Sequence, residues 1–197
     1  MFTPEQAKAI IQLAEYPWRP MFALAAYAGL RAGEILGLSV EDVDLKRGVL
    51  NIRKTAWYGQ IQTAKSVGSE STIPIAENLA EMLRKVIGER QSGLLFVNRI
   101  GRPYSSSGKV VQKRLWPLCD ALKIPRAGLH AFRHMHTTAL LETGATPKVT
   151  QRQLRHADSR VTLDHYAHLI DSSHREAVEK AAAYLDSSGP KLSGSVN

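Results

Sequence analysis

The chain of 197 residues carries 26 basic and 18 acidic residues, which give it a formal net charge of +8 and a pI near 9.7. A chain of this length folds as one domain that buries roughly 70% of its unfolded surface, and its basic balance favours a nucleic-acid partner without proving one. The single cysteine, Cys119, excludes an internal disulfide, and the most apolar run, residues 21–28, is too short to span a bilayer. We therefore expect a soluble, intracellular protein.

The first forty residues predict three helices. Residues 3–6, Thr-Pro-Glu-Gln, form a capping box with proline at the first helical position. A second helix, over about 20–28, is apolar nearly all round and should be buried. A third, short helix over 30–38 carries Arg31 and Glu34 three positions apart. Such a pair is usually a surface ion pair that contributes little, but a solvated charge is unexpected directly after an apolar helix and a glycine.

The pattern then changes from a helical period to that of a strand. Segments at 49–53, 61–63 and 71–75, separated by turns that contain glycine, predict a three-stranded antiparallel sheet over about residues 48–75. Lys65 lies in the turn between the second and third strands. On its own, a lysine in a turn is most often a solvated charge.

Helical periodicity resumes over residues 76–88 and again over 109–122. The second of these helices has a basic side, formed by Lys109, Lys113 and Arg114. Such a side is most often simply solvated, but beside a phosphate site it would contact a DNA backbone. A last amphipathic helix with an alanine-rich stripe is predicted over 173–186, and the serine- and glycine-rich tail at 187–197 is predicted to be disordered.

A histidine-rich stretch between residues 128 and 169 holds six of the seven histidines of the chain. His130 and Arg133 stand three apart at the start of a helical pattern, which places both side chains on one face of the helix. That helix should end at Gly144, because glycine is favoured just after a helix C-terminus.

A second helix in the same stretch begins at Thr146 and Pro147 and should end near His156, with Tyr166 ten residues further on. The helices can therefore gather four side chains around one cleft: His130, Arg133, His156 and Tyr166. Guanidinium donors match the oxygens of a phosphate, and a tyrosine hydroxyl can attack a phosphate whose charge has been neutralised.

The motifs H-x-x-R at 130–133 and L-x-H at 154–156, followed by Tyr166, resemble the C-terminal half of the catalytic domain of tyrosine recombinases, the phage integrase family. Two upstream segments extend the resemblance. The segment A-G-L-R-A-G-E is similar to the one that holds the family's first catalytic arginine, matched here by Arg31, and its acidic companion, matched by Glu34.

Lys65 matches the family's catalytic lysine, which lies in a β-turn eight residues before an I-P-I sequence like the one in this chain. The resemblance covers nearly the whole chain, from residue 3 to about 186. It implies an α+β fold, with a mainly helical catalytic domain over residues 1–186 and a small three-stranded antiparallel sheet near 48–75. We expect these 197 residues to lack the family's usual N-terminal core-binding domain, as either an excised catalytic domain or a short stand-alone member would.

The same resemblance implies a site-specific DNA recombinase or integrase that cleaves and rejoins DNA through a 3′-phosphotyrosyl intermediate. The implied reaction needs no metal, no ATP and no other cofactor. The residues that match the family's catalytic set are Arg31, Lys65, His130, Arg133, His156 and Tyr166, with Glu34 as an accessory residue.

The implied partners are double-stranded DNA, a second protomer on that DNA and host or accessory DNA-bending proteins, with no membrane. Contact with the other protomer is expected through the last helix, residues 174–186. The residues expected to contact the DNA backbone are Lys109, Lys113, Arg114 and Arg155. A bacterial or phage-encoded member of the family would work in the cytoplasm, at the nucleoid.

Two positions depart from the family pattern. Arg155 stands before His156, where the family usually has glycine, and His165 stands beside Tyr166 in place of a common apolar residue. A buried unpaired guanidinium is costly. We therefore expect Arg155 to point outward to the DNA backbone or to pair with an acid such as Asp158.

Three alternatives stay open at this point. A type IB topoisomerase-like relaxase shares much of this chemistry, although the spacing from His156 to Tyr166 favours a recombinase. A non-catalytic DNA-binding relative would keep the fold, but should have lost part of the catalytic set. A zinc enzyme would use His134 and His136 with His130 or His156, but these two side chains point to different helix faces and have no acidic or cysteine companion.

Overall fold

A computed structural model describes residues 1–63, 71–155, 178–179 and 181–185 of the chain. Helices dominate it, and the predicted α+β class is confirmed. The α-helices are α1 (Pro4–Leu13), α2 (Trp18–Tyr27), α3 (Ala32–Gly37), α4 (Glu77–Ile87), α5 (Ser107–Val110), α6 (Trp116–Ala121), α7 (Leu129–Glu142) and α8 (Pro147–Leu154). Residues 178–179 and 181–185 are helical as well, and every helix in this described part is too short or too polar to serve as a membrane span.

The strands are β1 (Val43–Asp44), β2 (Val49–Ile52), β3 (Lys54–Trp57), β4 (Gln60–Thr63) and β5 (Ser71–Pro74). A three-stranded antiparallel sheet with the order β1-β2-β5 is present, but its composition differs from the prediction. The predicted strand at 61–63 belongs instead to a separate hairpin of β3 and β4. The chain runs from β2 almost directly into β3, so one extended segment pairs first with β5 and then with β4.

The turn between β3 and β4 and the short strand β1 explain why the alternation of apolar and polar residues predicts a different set of strands. Tyr58 and Gly59, between β3 and β4, both have positive φ angles of 48° and 77°, as a two-residue hairpin turn of type I′ requires. Strand β1 is only two residues long, opposite Val49 and Leu50. Two residues cannot display an alternation, so periodicity has no means of detecting such a strand.

Helix α2 is the centre of the core, as its apolar composition predicts. Its residues from Pro20 to Ala26 are buried, and it packs against α1, α3, α4 and α7. The ring of Phe132, on α7, stacks on Phe22 of α2 with centroids 6.1 Å apart. Cys119 is also buried, as expected for a small apolar residue. This packing brings the first turns of α7 next to the segment that joins α2 to α3.

Two glycines let α3 lie directly on strand β3. A Cβ atom on Gly33 would stand 2.4 Å from Thr55 Oγ1, and one on Gly37 would stand 2.9 Å from Thr55 Cα. A Cβ atom on Gly37 would meet backbone directly, and one on Gly33 would meet the Thr55 hydroxyl with the Ala56 carbonyl 3.1 Å away, so glycine at both positions permits this close approach. The start of α3, directly after Arg31, is thereby held against the β-hairpin.

Candidate active site

Arg31 lies at the junction between α2 and α3. It is the residue just before the first helical residue of α3, and not within the helix as the sequence predicts. Its backbone N–H donates to a Glu34 carboxylate oxygen at 2.8 Å, and its Nη1 donates to the other oxygen at 2.8 Å. Glu34 therefore caps the helix and orients the guanidinium of Arg31, which is 43% exposed.

The residue that sets this junction is Gly29, whose φ angle is +64°. A Cβ atom there would stand 2.7 Å from a methyl of Leu154 and 2.8 Å from the ring of His136. The glycine lets α7, α8 and the start of α3 meet closely enough for their polar groups to bind one another.

Arg133 lies on α7 and is only 3% exposed. Its Nη1 donates to the carbonyl of Gly29, and its Nη2 donates to the carbonyl of Leu154. Burial lowers the pKa of Arg133 to about 9; the cation of Arg31 adds to this shift and Glu34 opposes it. The group is therefore still charged at neutral pH.

The C-terminus of α8 provides acceptors for both arginines. The last carbonyls of an α-helix have no partners inside the helix and carry the negative end of its dipole. Here the Leu154 carbonyl accepts from Arg133, and the Arg155 carbonyl accepts from Arg31 Nη2 at 3.1 Å. The carbonyls of two consecutive residues thus hold two guanidiniums that are far apart in sequence.

Arg155 binds an acid, which is one of the two arrangements we expected. Its Nη2 lies 2.6 Å from Glu34 Oε2, and only 8% of its side chain is exposed. Burial by itself raises the pKa of Glu34, but Arg155 and Arg31 outweigh that effect and the net shift is downward. Glu34 is therefore a mostly buried carboxylate, with 11% of its side chain exposed, that two arginines share. Asp158 lies outside the described residues.

His130 stands on the first turn of α7, on the same face as Arg133, as the spacing predicts. Its side chain is exposed, and its ring meets the His134 ring edge to face at 4.5 Å. Partial burial lowers the pKa of His130, and the cations of Arg133 and Arg31 lower it further. A neutral imidazole that can accept a proton thus lies beside the two arginines.

Of the six predicted catalytic residues, the structure brings three together: Arg31, His130 and Arg133. The other three, Lys65, His156 and Tyr166, lie outside the described residues, so their roles stay predictions.

The basic side predicted for the helix over 109–122 lines a cleft of about 420 Å³. The helix itself is not regular: α5, a π-helical segment (Val111–Leu115) and α6 follow one another without a break. The cleft is lined by Lys109, Lys113 and Arg114 together with Arg99, Trp18 and Tyr104, and Arg114 lies 4.9 Å from the centre of the Trp18 ring. Nothing in the periodicity indicates that Arg99, Trp18 and Tyr104 join this group.

The described part of the chain contains no group of three or more histidine, cysteine or acidic side chains able to hold a metal ion. The Nε2 atom of His136 is buried and makes no hydrogen bond. Burial lowers the pKa of His136 to about 4, with the Ala26 carbonyl opposing the shift. His136 therefore packs as a neutral ring against Gly29, and the described residues give the zinc alternative no support.

Comparison with known proteins finds relatives among phage integrases and transposases. The integrase of Staphylococcus phage L54a is 30% identical over 174 residues, which cover 79% of this chain and 49% of that protein. The Tn916 transposase of Enterococcus faecalis is 29% identical over 160 residues, covering 71% and 39% of the two chains. This chain thus spans about half the length, or less, of these two relatives.

Solved structures show the same fold. The Tn1549 transposon integrase, in complex with circular intermediate DNA, superposes with a TM-score of 0.76 at 23% identity, over 91% of this chain and 66% of that one. The XerA recombinase superposes with a TM-score of 0.71 at 23% identity, over 91% and 64% of the two chains. The model of the phage integrase family matches residues 1–173. The chain belongs to the phage integrase family of tyrosine recombinases.

Proposed function

We propose that this chain is the catalytic domain of a site-specific DNA recombinase that cuts and rejoins DNA strands in a bacterial cell. The observation that carries the proposal is the pair of guanidiniums, Arg31 and Arg133, held on the consecutive carbonyls of residues 154 and 155. An exposed histidine, His130, stands beside them. Two fixed cations and a proton acceptor suit a phosphodiester whose charge grows during reaction.

In the proposed reaction, Arg31 and Arg133 bind the two non-bridging oxygens of the scissile phosphate. The hydroxyl oxygen of Tyr166 attacks phosphorus, its proton passing to His130, and a phosphotyrosyl bond forms with the 3′ side of the strand. The bond from phosphorus to the 5′ oxygen breaks, and Lys65 donates a proton to that oxygen.

His156 donates a hydrogen bond to the phosphate in this scheme. One phosphate ester bond replaces another, so a free 5′-hydroxyl can reverse the reaction and no nucleotide cofactor is consumed. The scheme is tested with a nicked suicide substrate. After cleavage, the short fragment that carries the free 5′-hydroxyl diffuses away and cannot reverse the reaction. We expect covalent protein on the 3′ side of the break in EDTA, and cleavage only with a divalent ion would contradict the scheme.

Lys65→Ala gives a separate test of the leaving-group step. A general acid commonly contributes about 10² to 10⁴ in rate, so this variant should cut ordinary DNA slowly by about that factor. Replacement of the 5′ leaving oxygen by sulfur should restore much of the rate, because a thiolate leaves without a proton. The matched control is Lys54→Ala. Lys54 Nζ donates to Ser39 Oγ at 3.1 Å, so this lysine has a structural partner and is not proposed to protonate the leaving oxygen. Equal slowing of Lys65→Ala on both substrates would rule out this role.

We also propose that the basic cleft, lined by Lys109, Lys113 and Arg114, contacts the DNA backbone. The log of the binding constant should then fall linearly with log salt, by roughly 0.9 for each phosphate contact. Lys109→Ala and Lys113→Ala should each reduce the slope by roughly that amount, without changing sequence preference. Lys85→Ala, an exposed lysine on α4, is the control. Slopes equal to that of the control would exclude the cleft as a DNA contact.

We propose that residues 174–186, in the last predicted helix, bind a neighbouring protomer on DNA. Two of its apolar residues, Val178 and Leu185, are 56% and 69% exposed, so the described core does not cover them. We expect Leu185→Glu to weaken assembly on DNA with two binding sites while leaving the binding of one protomer to one site unchanged. Native gel shifts measure both, and unchanged two-site assembly would refute the contact. Host or accessory DNA-bending proteins are further proposed partners.

A further inference from the structure

The turn at the end of α8 has an unusual backbone. Arg155 has φ 55° and ψ 44°, the left-handed conformation that glycine adopts freely and that is unfavourable for a residue with a Cβ atom. Its carbonyl is the acceptor for Arg31, and the carbonyl before it is the acceptor for Arg133. The direction of both acceptors therefore depends on whether this turn stays in place.

The Arg155 side chain is fixed by three acceptors. Its guanidinium donates to both oxygens of Glu34, at 2.6 and 3.4 Å, and to the Gln153 carbonyl at 2.6 Å. Glu34 in turn binds the N–H and the Nη1 of Arg31. The contacts form a closed ring in which Arg31 binds Glu34, Glu34 binds Arg155, and the Arg155 carbonyl binds Arg31.

We infer that Arg155 is a positioning residue for the arginine pair. Its side chain ties the C-terminus of α8 to the start of α3 through Glu34, so that Arg31 and Arg133 are held in place before DNA binds. The charge of Arg155 is already paired with the Glu34 carboxylate at 2.6 Å and its Nη1 is bound to the Gln153 carbonyl, whereas Arg133 donates to two neutral carbonyls and, among the described residues, keeps an unpaired charge for a phosphate. The effect of Arg155 should therefore fall on the rate of cleavage and not on affinity, a distinction that rests on the proposed function.

The test compares Arg155→Gly and Arg155→Asn with Arg152→Ala. Glycine and asparagine both tolerate the left-handed conformation, so these variants remove the tie without adding backbone strain. Arg152→Ala removes the same charge from an exposed site on α8. At saturating DNA and well below the unfolding temperature, both Arg155 variants should cleave about 10- to 100-fold more slowly, because small misplacements of binding groups have effects of that size. Affinity and its salt slope should be unchanged, and Arg152→Ala should cleave at the parent rate.

A second set of variants checks that Arg155 acts through Glu34. If the contact between Arg155 and Glu34 is the cause, Arg155→Gly should add little to the rate loss already produced by Glu34→Gln. Both substitutions break that same contact, so their effects should not add. Independent, additive losses would contradict the inference. An Arg155→Gly variant with weaker, less salt-dependent binding and a normal saturated rate would also overturn it, because that result identifies a phosphate contact.

Amide hydrogen exchange gives a readout that does not depend on activity. The backbone N–H of Arg31 is bound to Glu34, and that of Arg155 is bound to the Arg152 carbonyl at 3.3 Å. In Arg155→Gly the Arg31 N–H should exchange faster, whereas in Arg152→Ala it should not. Unchanged exchange of the Arg31 N–H in Arg155→Gly would overturn the inference. This readout does not need DNA cleavage, so a parent protein that formed no DNA adduct would contradict the proposed function alone.

Discussion

Tyr166→Phe should abolish the covalent protein–DNA adduct while leaving DNA affinity unchanged. The substitution removes the one oxygen proposed to attack phosphorus and leaves the guanidiniums of Arg31 and Arg133 in place. Suicide-substrate trapping measures the adduct, and titration of labelled DNA measures binding. The matched control is Tyr58→Phe, because Tyr58 is 78% exposed at the hairpin turn. Its adduct should form at the parent rate.

An adduct that persists in Tyr166→Phe at the parent rate would transfer the nucleophile to another residue. Loss of DNA affinity together with loss of the adduct would also contradict the assignment, since a hydroxyl that serves only as nucleophile contributes little to binding.

Arg31→Ala and Arg133→Ala should both slow cleavage by about 10² to 10³, and more if the transition state depends on the arginine as strongly as in other phosphoryl transfers. Their effects on stability should differ. Arg133 is buried and satisfies the carbonyls of Gly29 and Leu154, so its loss should cost about 1–3 kcal/mol of unfolding free energy for each carbonyl left without a partner. Arg31 is 43% exposed, and water can replace it at the Arg155 carbonyl.

Single-turnover cleavage and urea unfolding separate these two effects. Arg126→Ala is the control, because Arg126 is an exposed arginine in an ion pair with Asp120 at 2.7 Å. It should change cleavage little. Loss of stability without loss of rate in Arg133→Ala would show that this arginine has a purely structural role.

Local patterns predict the helices that carry the site. The apolar composition of α2 predicts its burial, and the N-cap and proline at Thr146 and Pro147 predict the start of α8, where the Thr146 hydroxyl accepts from the Val149 N–H at 3.3 Å. The spacing of His130 and Arg133 places them on one face of α7, as observed. Each of these features depends on residues within one or two turns of each other.

Features that depend on distant residues could not be predicted in this way. Glu34 accounts for the inward direction of Arg155, but the two stand 121 positions apart and no local pattern links them. The position of Arg31 outside α3 follows from its contact with the end of α8 and from the geometry of Gly29, both of which are tertiary. The pairing of β4 with β3 follows from a hairpin turn in which Tyr58, a non-glycine residue, takes a positive φ angle.

The central claim is that a tyrosine of this chain forms the bond to DNA beside a preassembled arginine pair. The most direct measurement is mass spectrometry of the adduct, trapped in EDTA and digested with protease and nuclease. The account predicts a peptide that carries a nucleotide 3′-phosphate on Tyr166, formed without nucleotide cofactor and strongly reduced in Arg133→Ala. A linkage to any other residue, or to the 5′ side of the break, would contradict it.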